Sequence, residues 1–107
     1  MLYGLALEPL DLEQQKMMAI IAISQKLRTG ASYRYVGPLL SAKQMKECDI
    51  NLNDASSARL CVWFDKAKNL VFFDIVENSS QNVLKREEKK YSRTDLLLIA
   101  KTDWFWV

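Results

Sequence analysis

The sequence predicts an α+β domain: a two-layer arrangement in which an antiparallel sheet packs on one long N-terminal helix, with one or two short helices. Three observations lead there. Residues 11–28 place apolar side chains at helical spacing between a capping residue and a glycine stop. Residues 59–76 hold two strand-like runs separated by a four-residue polar turn. The chain has 107 residues, of which 50% are hydrophobic and 26% charged, the size and composition of one globular domain spanning 1–107.

Taken in order, Leu2 to Leu7 is short, apolar and bounded by Glu8 and Pro9, and reads as a first strand. Asp11 to Arg28 is the strongest helix signal. Asp11 is a good N-cap, and Gln14 stands at the capping-box position. Leu12, Ala19, Ile20, Ile23 and Leu27 form one stripe, which Met17, Ile21 and Ala22 widen almost to the full circumference. Such a helix is expected to be buried on more than one side. Tyr33 to Val36 reads as a short strand ended by Gly37-Pro38. Ser41 caps a short helix running to about Cys48, and the polar stretch Asp49 to Ser57 is a loop.

Arg59 to Asp65 and Leu70 to Val76 form a hairpin around Lys66-Ala67-Lys68-Asn69. Val83 to Lys90, rich in charge, reads as a short helix capped by Ser79 or Ser80. Leu96 to Ala100 and Trp104 to Val107 read as two last strands.

Alternation along the central hairpin separates two faces. Leu60, Val62, Phe64, Val71, Phe73 and Ile75 are wholly apolar and belong to the core. The other face carries Cys61, Trp63, Leu70 and Phe72 among Arg59, Asp65 and Asp74. The turn length predicts a register in which Asp65 pairs with Leu70, Trp63 with Phe72, and Cys61 with Asp74. Trp63 and Phe72 are then cross-strand neighbours. They are either covered by a helix of the same chain, such as Ser41 to Cys48, or form the aromatic centre of a contact surface with charges around it.

The chemistry the sequence lacks narrows the functional classes. It contains no histidine, which removes the commonest general base and the commonest metal ligand. Its three glycines are isolated, so no phosphate-binding loop is present. The two cysteines, Cys48 and Cys61, match no zinc or redox spacing and read as free thiols. Asp65 and Asp74 flank the hairpin but are not directly opposed, and read as solvated edge charges. Glu87-Glu88-Lys89-Lys90 contains Glu-x-Lys spacings of the kind metal-dependent nucleases use, and reads as a solvated helix face. No catalytic residue, metal or cofactor is assigned.

The longest unbroken apolar run, Met17 to Ile23, is far shorter than the ~20 residues a membrane span requires. The start of the chain lacks the basic stretch of a signal peptide. The expectation is a cytoplasmic protein without membrane contact.

The leading functional reading is a non-enzymatic protein–protein interaction module: a regulator, inhibitor or adaptor binding another protein or itself, with a homodimer as one form. Its contact residues are Trp63 and Phe72, together with Trp104, Phe105 and Trp106 near the C-terminus. The alternative is nucleic-acid binding by the densest basic segment, Lys85, Arg86, Lys89, Lys90 and Arg93, with Tyr91 interleaved. A net charge of +2 argues for only a modest electrostatic attraction to phosphates.

Overall fold

Helix α1, Leu12–Arg28, begins where Asp11 accepts from the Gln14 backbone N–H and the Gln14 side chain accepts in return from the Asp11 N–H. This capping box satisfies two of the donors that a helix start leaves open. At the other end Gly30, with φ of 81°, takes the left-handed position. The Gly30 N–H donates to Leu27 O and the Ala31 N–H to Lys26 O, a Schellman stop. These features belong to a computed structural model that describes residues 10–101. The predicted strand at residues 2–7 and the predicted strand at residues 104–107, with Trp104, Phe105 and Trp106, lie outside the described residues.

The described elements continue as strand β1 (Arg34–Leu39), helix α2 (Ala42–Glu47), strands β2 (Ala58–Asp65), β3 (Leu70–Glu77) and β4 (Val83–Lys90), and helix α3 (Arg93–Lys101). The strands form one antiparallel sheet in the order β1-β2-β3-β4. Helix α1 packs against this sheet and against α3. The architecture is the α+β arrangement the sequence predicts.

The core lies between the sheet and the helices. Leu60, Val62, Val71, Phe73 and Ile75 of the sheet form one buried cluster with Ala19, Ile20 and Ile23 of α1, Met45 of α2 and Leu96 of α3. Burial of each such side chain contributes about 1.5–3 kcal/mol. Helix α1 is buried on two sides, but Met17 and Met18 face solvent, at 58% and 49% exposure. The apolar arc is therefore wider than the covered one. Lys16 ties α1 to the sheet through Glu87 at 3.3 Å. Burial alone would push its ammonium pKa down, but hydrogen bonds to Glu87 and Glu13 outweigh it and raise it.

Three local expectations are corrected. Gly37-Pro38 does not end β1; the strand runs to Leu39, and its register against β2 shifts between Val36 and Leu39. An edge strand tolerates a proline, whose missing N–H need not serve a second neighbour. Val83–Lys90 is not a helix but β4, paired to β3 from Lys85 to Lys90 and again at Val83, with a register shift between Ile75 and Val76. Residues 96–100 are not a strand but part of α3. That helix starts where Ser92 Oγ accepts from the Asp95 N–H and Asp95 accepts from the Ser92 N–H.

Gly37 sits where a side chain has no room. A Cβ there would lie 2.9 Å from Gln15 Oε1 and 3.2 Å from the Leu60 carbonyl oxygen, and Gln15 is itself buried. Gly37→Ala is expected to lower stability by about 1–3 kcal/mol through this overpacking, read as a fall in the urea midpoint. An unchanged midpoint would show that Gln15 moves aside freely.

Candidate functional site

The sheet face turned away from the helices is built by cross-strand alignment. Trp63 pairs with Phe72, and Cys61 with Asp74, in the predicted register. On the outer strands Arg34 stands opposite Trp63 and Arg86 opposite Asp74. Since directly paired residues point to the same side of a sheet, all six side chains share this face.

At its centre is Asp74, 1% exposed. Its carboxylate accepts two hydrogen bonds from Arg86, Nε to Oδ1 at 2.7 Å and Nη2 to Oδ2 at 2.9 Å. It accepts a third from the Trp63 indole N–H at 3.2 Å. A buried carboxylate is tolerable only with such partners. The reading of Asp74 as a solvated edge charge is thus corrected, because β4 supplies the arginine that lets it be buried. Asp65 instead organises the β2–β3 turn, accepting from the Ala67 and Lys68 backbone N–H groups.

Trp63 and Phe72 stack with ring centroids 4.5 Å apart and planes inclined by 21°. The Arg86 guanidinium lies 4.7 Å from the Phe72 centroid and 5.9 Å from that of Trp63. One arginine therefore neutralises Asp74 and also covers the aromatic pair, a combination suited to its planar, weakly hydrated head group. The carboxylate in turn raises the Arg86 pKa through their hydrogen bonds.

Phe72 is 3% exposed, while Trp63 is half-buried and the Arg86 side chain is 42% exposed. The accessible part of the cluster is Trp63 and Arg86, with Phe72 beneath them. Helix α2 does not cover the pair: its Met45 joins the core on the opposite face. Exposed Val36 and Leu39 of β1 extend the Trp63–Arg86 face along the sheet. A cleft of about 610 Å³ reaches this cluster, with Tyr33, Arg34, Trp63, Lys66, Asp74, Arg86 and Arg93 in its lining.

The basic segment is divided by strand geometry. Lys85 and Lys89 point to the helix side of the sheet, Arg86 and Lys90 to the other, and Arg93 begins α3. Lys85 faces Asp49 at 3.7 Å, and Arg86 is held by Asp74. The Glu-x-Lys pairs likewise fall on a strand, one on each face. Among the described residues no group of three or more His, Cys, Asp or Glu side chains could hold a metal ion. Cys61 is buried and Cys48 half-buried, both as free thiols, and burial pushes the Cys48 pKa up. Among the described residues no helix is long and apolar enough to cross a membrane.

Together these features define the chain as a small α+β domain, with a four-stranded antiparallel sheet that carries an aromatic–arginine cluster on the face turned away from the described helices. No protein-family model matches it, and neither a curated protein nor a solved structure does so.

Proposed function

We propose that this chain is a small non-enzymatic interaction module that binds another protein, or a second copy of itself, through the face built on Trp63, Phe72 and Arg86. The observation that carries the reading is the Trp63–Phe72 stack locked to the Asp74–Arg86 pair. Tryptophan and arginine dominate binding energy at protein interfaces. Here both are held in one geometry before any partner arrives, which lowers the ordering cost of association. Val36, 54% exposed, and Leu39, 51% exposed, add apolar area beside them. Trp104, Phe105 and Trp106 belong to the same proposal on sequence grounds.

Phe72 is too deeply buried to test by a polar substitution, which would damage the fold. The informative variants are Trp63→Ala and Val36→Ser. A protein partner captured by the wild type at both low and high salt should be lost with Trp63→Ala and weakened by Val36→Ser, while circular dichroism shows both variants folded. Undiminished capture by both would place the contact elsewhere. Nucleic acid retained only at low salt would transfer the function to the Lys85, Arg86, Lys89, Lys90 and Arg93 segment.

A further inference from the structure

We infer that the cleft beside Trp63 and Arg86 takes an acidic, partly apolar segment of a partner protein, a step that rests on the reading of this sheet face as a contact surface. Four cationic side chains line the cleft: Arg34 of β1, Lys66 of the β2–β3 turn, Arg86 of β4 and Arg93 at the start of α3. Among the described residues its only carboxylate is Asp74, which is 1% exposed and already engaged by Arg86 and Trp63. Arg34, Lys66 and Arg93 form no ion pair with a described carboxylate.

The positive sign does not depend on residues outside the described range. Residues 1–9 and 102–107 contain two acidic side chains, Glu8 and Asp103, and no lysine or arginine. With Asp74 they make three carboxylates at most, against four cations. Two acids of the sheet stand outside the lining. Asp65 accepts from the backbone of its own turn, and Glu88 sits opposite Phe72. A cleft lined by one sign of charge concentrates ligands of the other.

The cations are spread across the cleft. Arg34 and Arg86 stand on the two outer strands, three strand spacings or about 14 Å apart. Arg86 is fixed on Asp74 by two hydrogen bonds. One phosphate or carboxylate cannot engage both arginines, whereas acidic groups spaced along an extended segment can. Leu27 of α1 and Phe64 of β2, both half-buried, add an apolar wall, so the segment carries an apolar side chain among its acids. A single strand of nucleic acid fits less well, because it needs successive free rings on which its bases stack. Trp63 is already stacked on Phe72, and the Lys26 ammonium lies 5.8 Å from the Tyr33 ring centroid.

The probe is a capped peptide, Glu-Asp-Leu-Glu-Asp-Leu-Glu-Asp, titrated into the isotope-labelled full chain at about 0.15 M salt and followed by nuclear magnetic resonance. The amides of Arg34, Lys66 and Arg93 and the Trp63 indole N–H are expected to shift. Converting every acid of the peptide to its amide should abolish binding. Lys66→Glu combined with Arg93→Glu, both exposed, should weaken the peptide about tenfold. Lys43→Glu combined with Lys46→Glu on α2 makes the same change in net charge away from the cleft, and should weaken it by roughly twofold at most. Three results would overturn the acidic segment: no shifts at millimolar peptide, undiminished binding of the amide version, or equal losses in the two double variants. Tighter binding of an oligothymidylate than of the peptide at the same residues would overturn it too. The contact-face reading would survive all of these, and falls only if Trp63→Ala and Val36→Ser leave capture of a protein partner undiminished.

Discussion

Arg86→Met is expected to destabilise the fold by about 3 kcal/mol. The substitution keeps much of the side-chain bulk but removes two of the three hydrogen bonds to a carboxylate that is 1% exposed. Breaking a buried ion pair costs most because the remaining charge is left without compensation. The Arg86 side is 42% exposed, so part of its charge is already solvated and the effect sits at the low end of the usual range. A second substitution separates this cause from simple loss of packing. Arg86→Met combined with Asp74→Leu removes both charges and should recover most of the loss. The check is urea unfolding of the wild type, the single variant and the double variant. A single variant within ~0.5 kcal/mol of the wild type, the size of an ordinary surface change, would mean that Asp74 finds water or another donor.

The second large effect is expected at Leu96, which is fully buried in the core against α1 and the sheet. Leu96→Ala should cost about 3 kcal/mol from lost contact and the residual cavity. For a domain of this size that corresponds to a fall in melting temperature of roughly 12–24 °C. Calorimetry or thermal circular dichroism reads it directly. The same position tests the helical assignment of α3. In a strand Leu96, Leu98 and Ala100 would share a face, whereas in a helix Leu96, Ile99 and Ala100 do. Leu98 is 58% exposed while Ala100 is 4% exposed, so the burial follows the helix. A melting temperature unchanged by Leu96→Ala would contradict that packing.

These two residues also mark where sequence reasoning stops. Helix α1 is readable because its cap, its apolar stripe and its glycine stop are all local. The β2–β3 pairing is readable because a four-residue turn fixes the register and alternation then assigns the faces. Turn length and alternation therefore suffice to place Trp63 and Phe72 side by side. The role of Arg86 could not, since it depends on a third strand. Lys85 to Lys90 has the composition and charge spacing of an exposed helix, and non-local pairing with β3 overrides that preference. One signal pointed the other way. β3 is apolar on both faces from Leu70 to Phe73 and again at Ile75 and Val76, as befits an interior strand with a neighbour on each side. The turn-forming residues 78–82 that follow could bring the next segment back as that neighbour. In α3, the run Leu96-Leu97-Leu98-Ile99-Ala100 is too short for periodicity to distinguish helix from strand. The Ser92–Asp95 cap observed in the structure is what marks this run as a helix.

The central claim is that the sheet face carrying Trp63 and Arg86 is a contact surface. Its most direct test is amide hydrogen exchange of the purified chain, alone and with a captured protein partner. The account predicts that binding slows exchange around Arg34, Val36 and Trp63 while the amides of α1 stay unchanged. Protection confined to the helices, with the Trp63–Arg86 face exchanging as it does in the free protein, would contradict it.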